Sequence, residues 1–204
     1  MSEQTSSKLP RIRFKGFEGD WQESTVSDFA VSLDAGVSVN SEDRIATSTE
    51  FGILKTSAVT NGVFQADENK AVLTKSEQSR LKESVSGGTI IISRMNTPAL
   101  VGANAYVESS HKNLFLPDRL WAAKPRGDTS MRFLACILGS EKGRDALSKL
   151  AKGTSGSMKN ITKPDVLAFS VMASSPAEQT QIGEYFRELD SLIGLHQRKH
   201  DKLV

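Results

Sequence analysis

Apolar positions run in short alternating or continuous stretches through the middle of the chain and switch to a three-to-four-residue rhythm after residue 130. The clearest strand is Thr89-Ile90-Ile91-Ile92-Ser93, a β-branched run behind Gly87-Gly88 that suits burial on both faces. Phe51-Gly52-Ile53-Leu54-Lys55-Thr56 also reads as a strand, and Asn61-Gly62 predicts a tight turn before Val63-Phe64. Further strands are expected at Leu100 to Val107 and Arg119 to Ala123, with short helices at Val26 to Ala30 and over residues 75–85. From Met131 the periodicity is helical. Phe133, Leu134, Ile137 and Leu138 share one face, and a second helix from Glu141 to Ala151 is expected to end at Gly153 in a left-handed cap.

The last fifth carries the strongest pattern. Ser175 is placed to cap a helix, Pro176 suits its first position, and Glu178 stands where a capping box has its acid. Ile182, Phe186, Leu189, Ile193, His196, His200 and Leu203 follow in steps of four and three, which keeps one seam facing a partner. The expected fold is α+β. A mainly β domain with short helices occupies residues 1–174, residues 1–9 being a disordered tail, and one long coiled-coil-like helix fills 175–204. Phe14, Phe17 and Trp21 are expected to pin an irregular arm over residues 10–23.

A chain of 204 residues with 38% hydrophobic content can build a core. Its single cysteine, Cys136, lies in an apolar run, so no internal disulfide forms and burial as a small hydrophobe is expected. The N-terminus lacks the basic and apolar regions of a secretory signal, and no apolar run reaches membrane-spanning length, which predicts a soluble cytoplasmic protein. Net charge is only +2, so charge alone does not mark a nucleic-acid binder. The distribution is more informative. Residues 146–164 hold Lys149, Lys152, Lys159 and Lys163 with no acid, and the entry segment holds Lys8, Arg11, Arg13 and Lys15 against Glu3.

Catalytic constellations are missing from the sequence. His111, His196, His200 and Cys136 have no zinc-cluster spacing, although His196 and His200 would supply half a site. Neither a phosphate-binding loop ending in Gly-Lys-Ser/Thr nor a dinucleotide fingerprint occurs, so no metal or cofactor is expected. The loop Lys152 to Asn160 is different: its small residues let main-chain N–H groups approach phosphates, Thr154, Ser155 and Ser157 add hydroxyls, and Lys152, Lys159 and Lys163 add charge. A flexible connector explains the same composition equally well. Ser93-Arg94-Met95-Asn96-Thr97 is a second candidate, since Arg94 has the donors to bind guanine and Asn96 the amide to bind adenine. The competing reading is a salt-bridged arginine and a turn-forming asparagine. Lys55, Thr56 and Arg119 are weaker candidates of the same kind.

The order of these motifs resembles the specificity subunits of type I restriction-modification systems. The resemblance rests on Pro10 to Phe17 with Trp21, on Gly88 to Arg94, on Val101-Gly102, on the loop Gly153 to Ile161, and on Ser175-Pro176-Ala177-Glu178-Gln179-Thr180-Gln181-Ile182-Gly183 running into Leu189 to Ile193. It implies a target-recognition domain that reads one half of a bipartite site in double-stranded DNA, joined to a spacer helix. It also implies a non-enzymatic subunit that positions methyltransferase subunits, which bind S-adenosylmethionine, and that joins motor and restriction subunits in the larger complex. Family members carry two recognition domains and two helices, and this chain carries one of each, as a half-sized subunit or a fragment would. Pairing through Ile182, Phe186, Leu189, Ile193, His196 and Leu203 would give a homodimer that reads an interrupted palindrome, with sensitivity to pH near neutrality at the histidines. The alternative is a degenerate or regulatory half-subunit that acts through protein contacts without reading DNA. A self-sufficient methyltransferase or nuclease is disfavoured for want of a cofactor loop or acid cluster.

Overall fold

The computed structural model describes residues 10, 12–127, 129–153 and 158–201. The expected tail 1–9, Arg11, the loop residues Thr154, Ser155, Gly156 and Ser157, the side chain of His200, and Leu203 lie outside the described residues.

The fold is α+β: several small sheets, short helices and one long C-terminal helix. Its strands are β1 (Gln22–Thr25), β2 (Ala30–Ala35), β3 (Phe51–Leu54), β4 (Asn69–Val72), β5 (Ser84–Val85) and β6 (Ile90–Ser93), followed by β7 (Met95–Asn96), β8 (Asn104–Tyr106), β9 (His111–Phe115), β10 (Leu120–Pro125), β11 (Lys159–Asn160) and β12 (Ser170–Ala173). The helices are α1 (Val26–Phe29), α2 (Lys75–Gln78), α3 (Met131–Gly139), α4 (Glu141–Lys149), α5 (Lys163–Leu167) and α6 (Pro176–Asp201), and a 3-10 turn covers Thr56–Val59.

The first sheet has the order β2-β10-β6-β8 and is antiparallel throughout. It is the middle layer of the molecule. Ile90 and Ile92 on β6 face a core shared with Phe29, Trp121, Phe133, Leu134 and Leu138, whereas Ile91 between them faces a second core with Leu54, Leu114, Leu116 and Leu120. Helices α1 and α3 supply the far side of the first core. A second sheet, β4-β3-β9-β5, supplies that of the second, with β3 and β9 parallel. That arrangement explains the uninterrupted β-branched run, because a strand covered on both faces has no solvent side to keep polar. At Gly36, just past β2, a Cβ would stand 1.5 Å from the Leu116 carbonyl oxygen, so only glycine lets the two layers approach there.

Several boundaries differ from those expected. The strand at Phe51 stops at Leu54, and Thr56 opens the 3-10 turn. Over 75–85 only Lys75–Gln78 is helical; Gln78 turns its amide back onto the Val72 and Leu73 carbonyls, and Ser84–Val85 pair with β9. The strand expected from Leu100 is confined to Asn104–Tyr106, since Val101-Gly102 form a turn with Gly102 at φ +76°. Helix α4 ends on Leu150 in right-handed geometry, three residues before Gly153, so Gly153 is not its cap. The arm is not wholly irregular either, because β1 pairs with β12. Cys136 is half-buried, and partial burial pushes its thiol up to about 11, which keeps it protonated.

Helix α6 starts as the sequence predicts, with the Ser175 hydroxyl accepting the Glu178 N–H at 3.4 Å. The other half of the capping box is replaced. The Glu178 side chain turns away from the Ser175 backbone to the Arg13 guanidinium. Phe14 packs edge-on to Tyr185 and Trp21 on Phe133, so the arm is pinned at both ends, with Phe17 half-buried between them.

Candidate nucleic-acid interface

The two segments singled out for chemistry, Ser93 to Thr97 and Lys152 to Asn160, are joined in the fold. Strand β7 pairs antiparallel with β11, Asn96 opposite Lys159 and Met95 opposite Asn160. Arg94 is the crossing point of three segments: its N–H donates to the Arg119 carbonyl at 3.0 Å, and its own carbonyl accepts the Ile161 N–H at 2.9 Å. Lys152 and Asn160 exchange backbone hydrogen bonds at 2.8 and 3.0 Å, closing the base of the Gly/Ser loop, and Lys159 Nζ donates to the Gly153 carbonyl at 2.9 Å. Arg94, Asn96, Arg119, Lys152, Lys159, Asn160 and Lys163 therefore share one end of the domain.

Their side chains differ in how far they are engaged. Arg94 donates through Nε to the Asp118 carbonyl at 2.6 Å, lies 3.7 Å from the Asp118 carboxylate, and stacks over Trp121 at 5.8 Å. Its remaining guanidinium edge is partly exposed. Asn96 is buried, with its amide nitrogen on Ser93 Oγ at 3.2 Å and its oxygen accepting the Thr97 N–H at 2.8 Å, which is the turn-forming role. Asn160, with its amide nitrogen turned inward, donates to the Arg94 and Ile161 carbonyls at 3.0 and 3.2 Å. Lys152 pairs with Asp165 at 3.3 Å; the Thr162 hydroxyl, and then this ammonium, hold the Asp165 carboxyl below the usual carboxylate range. Lys163 is exposed, its Nζ 5.9 Å from the centre of the Trp121 ring, and Arg119 is exposed with no ion pair among the described residues.

Lys55 and Thr56 belong elsewhere. They follow β3 on the second sheet, where Lys55 approaches Glu68 at 3.9 Å. Two contributors were not singled out from sequence: Asp118, which orients Arg94 and accepts from Ser38, and Trp121, the aromatic floor beneath two cations. Asp118 was visible only as a neighbour of Arg119, and Trp121 only as an apolar strand position. Among the described residues no cluster of histidine, cysteine and acids has metal-binding geometry, and no helix is long and apolar enough to cross a membrane.

The cluster is thus a built surface: two short strands, a basic rim and an aromatic floor, with cation donors suited to phosphate and one braced arginine suited to a base edge. At the sequence level, the profile of the family described as Type I restriction modification DNA specificity domain matches residues 18–204. The chain belongs to this family. It is a family of specificity domains, a non-catalytic component. No curated protein matches this specificity domain in sequence. Among solved structures, the fold is similar to the S subunit of a type I restriction-modification system from M. genitalium, with TM-score 0.57 and 17% identity over 97% of this chain and 47% of that one. It is likewise similar to the HsdS subunit from Thermoanaerobacter tengcongensis, with TM-score 0.56 and 15% identity over 94% of this chain and 42% of that one. A structure described for complex assembly and conformational transition of the type I system gives TM-score 0.56 and 15% identity over 91% and 42%. The specificity domain spans a little under half the length of these solved chains.

On α6, Ile182 packs on the domain's own core, and Leu189 is half-buried. Phe186, Leu192, Ile193 and Leu195 are about half exposed, between 45% and 55%, and His196 is exposed. The expected seam is therefore split, with Ile182 spent inside this chain and Phe186, Ile193 and His196 facing outward.

Proposed function

We propose that this specificity domain reads one half of a bipartite site in double-stranded DNA, with residues 1–174 as the reader and 175–204 as the spacer helix. The observation that carries this is the pairing of β7 with β11, which puts Arg94 and the cations Arg119, Lys152, Lys159 and Lys163 on one surface in a chain of this family. Arg119 and Lys163 hold phosphates, Arg94 reads a base edge, and Asn96 and Asn160 keep the loop in shape for both. Thr154, Ser155 and Ser157 contribute hydroxyls to the backbone, and Lys55 and Thr56 lie at the margin.

A second copy completes the reader. Phe186 and Ile193, on one face with the half-buried Leu189 between them, offer an apolar strip on a helix about 40 Å long at ~1.5 Å per residue, of the order of one DNA turn. Two chains related by a two-fold axis through α6, the strip continued by His196 and Leu203, would read an interrupted palindrome and present it to methyltransferase subunits carrying S-adenosylmethionine, and to the motor and restriction subunits of the intact system. The protein works in the cytoplasm and needs no cofactor of its own. A regulatory half-subunit acting by protein contacts is the second reading, favoured by the internal engagement of Arg94 and Asn96. Selection of bound sites from a random duplex pool, with sedimentation of the free protein, tests both. An enriched palindromic, interrupted motif and a dimer support the first reading; a dimer that enriches no sequence supports the second.

A further inference from the structure

Among the described residues, the buried and half-buried side chains of helix α6 end at Leu189. Gly183 lies so close to α3 that a Cβ would stand 3.0 Å from Arg132 Cβ and 3.2 Å from the Phe133 nitrogen. Gln179 accepts the Ser130 N–H at 3.3 Å and donates to the Ser174 carbonyl at 2.8 Å. Beyond Leu189 the described side chains are exposed. The direction of the distal half is therefore set within this stretch, where the α3 crossing lies beside the arm contacts Arg13–Glu178 and Phe14–Tyr185.

Arg132 occupies the crossing and touches three elements. Its guanidinium forks onto the Glu108 carboxylate in the turn after β8, lies over the Tyr106 ring on β8 at 4.4 Å, and reaches Glu184 on α6 at 3.4 Å. Strand β8 leads to the reading surface, because it pairs with β6 (Ile92 opposite Asn104), and β6 ends at Ser93, next to Arg94. Asn104 also ties β8 to α3, its amide nitrogen donating to the Leu138 carbonyl at 3.1 Å. A continuous path of paired backbone and side chains runs from Arg94 through β6, β8 and Arg132 to Glu184. Guanidinium geometry makes it directional, since a planar fork fixes angles that an ammonium would leave free.

We propose that Arg132 is the positioning residue that sets the angle of the spacer helix relative to the reading surface and, resting on the function proposed above, the spacing between half-sites. It touches no DNA in this role. Glu108 and Tyr106 anchor it to the reader, and Glu184 is the point where it grips the helix.

The test is a pulsed dipolar distance measurement on the full chain. Spin labels go at Lys112→Cys on β9 and Gln197→Cys on α6, both exposed, in a Cys136→Ala background, diluted with unlabelled protein so that only distances within one chain are read. The unaltered crossing gives one narrow distribution. Arg132→Ala and, because a core-facing change can impair folding, the separate surface change Glu184→Ala are each expected to broaden it at least twofold. Arg132→Lys should broaden it too. Leu147→Ala, a buried change in α4, serves as the control that lowers the thermal midpoint without broadening. Distributions as narrow in Glu184→Ala and in folded Arg132 variants as in the parent, or equal broadening by Leu147→Ala, would overturn the proposal. In site selection from random duplexes, the variants should keep the half-site sequence while accepting spacings one base pair longer or shorter. If the parent selects no sequence, it is the DNA-reading function that fails, and the distance measurement still decides the role of Arg132.

Discussion

The Arg13 guanidinium grips the Glu178 carboxylate as a two-pronged fork, Nε to Oε1 at 2.7 Å and Nη2 to Oε2 at 2.8 Å, with the glutamate side chain wholly shielded from solvent. The same guanidinium donates to the Gly19 carbonyl at 2.7 Å and the Glu18 carbonyl at 3.0 Å, so the arm is folded around it. Donating to the Glu178 carboxylate, against the opposing effect of burial, raises the Arg13 pKa further, and the arginine stays charged at any working pH. Arg13→Met would leave a buried carboxylate without its counter-charge, which is far costlier than losing an exposed pair. The expected outcome is a clear drop in thermal midpoint and faster proteolysis before β1, with Lys15→Met changing neither. The double variant Arg13→Met/Glu178→Met should recover part of the loss. A single variant as stable as the parent would show that the fork does not hold the arm.

That fork also shows where sequence reading stops. The helix start at Ser175-Pro176 was legible because a cap is a contact within one turn. The partner of Glu178 was not, since a three-residue spacing from Ser175 is satisfied equally by a group 165 residues away. The Ile90 to Ile92 run announced a buried strand, but only topology reveals that it divides two cores. β2 went unread because it is an edge strand mixing Ser32 and Asp34 with apolar residues, and β7 and β11 because two-residue strands have no period. The candidate site was half legible for the same reason. Its two loops stood out by composition, while their pairing and the roles of Asp118 and Trp121 depend on contacts between distant segments.

Acid should loosen the segment ahead of β3. The Arg44 guanidinium, and next the Thr47 backbone N–H, hold the Glu50 carboxyl down at about 2, against 4.5 for a free glutamate. A carboxyl with a depressed folded-state pKa stabilises the fold fully above 4.5 and loses that contribution as pH falls toward 2. The difference in thermal midpoint between the parent and Glu50→Gln should therefore be constant near neutrality and shrink between those limits. The effect is small, since the group is still partly open to solvent. A difference independent of pH down to the lower limit would mean that Arg44 does not engage the ionised form.

Asn104 joins β8 to α3 from a buried position, donating to the Gly102 carbonyl at 3.0 Å and the Leu138 carbonyl at 3.1 Å. Asn104→Ala removes both donors and leaves buried acceptors unpaired, at a cost of about 1–3 kcal/mol. Denaturant unfolding measures it directly. Asn104→Asp, which swaps the donating nitrogen for an acceptor, should be worse than alanine; equal stability of all three proteins would contradict the hydrogen-bonding assignment.

The cations of the proposed reading surface should separate into two classes in DNA-binding measurements. Arg119 and Lys163 are exposed and unpaired by any acid among the described residues, so each is free to neutralise a phosphate. Arg119→Ala and Lys163→Ala are expected to weaken binding to every duplex alike, and each to flatten the dependence of log affinity on log salt by about one unit. Lys152 is partly neutralised by Asp165, and Lys159 is spent on the Gly153 carbonyl, so replacing either should flatten the slope less. Arg94 is held in a fixed pose by Asp118 and Trp121, which suits a base edge. Arg94→Ala should relax choice at one base pair, at a cost of about 1–3 kcal/mol on the preferred site and almost none on others. Asp118→Asn should give at most a weak form of this relaxation, because it removes only the carboxylate charge 3.7 Å away and leaves the backbone carbonyl that holds Arg94 Nε. If Arg94→Ala instead weakened all duplexes equally while Lys163→Ala changed the motif, the base reader and the phosphate anchor would have to be exchanged.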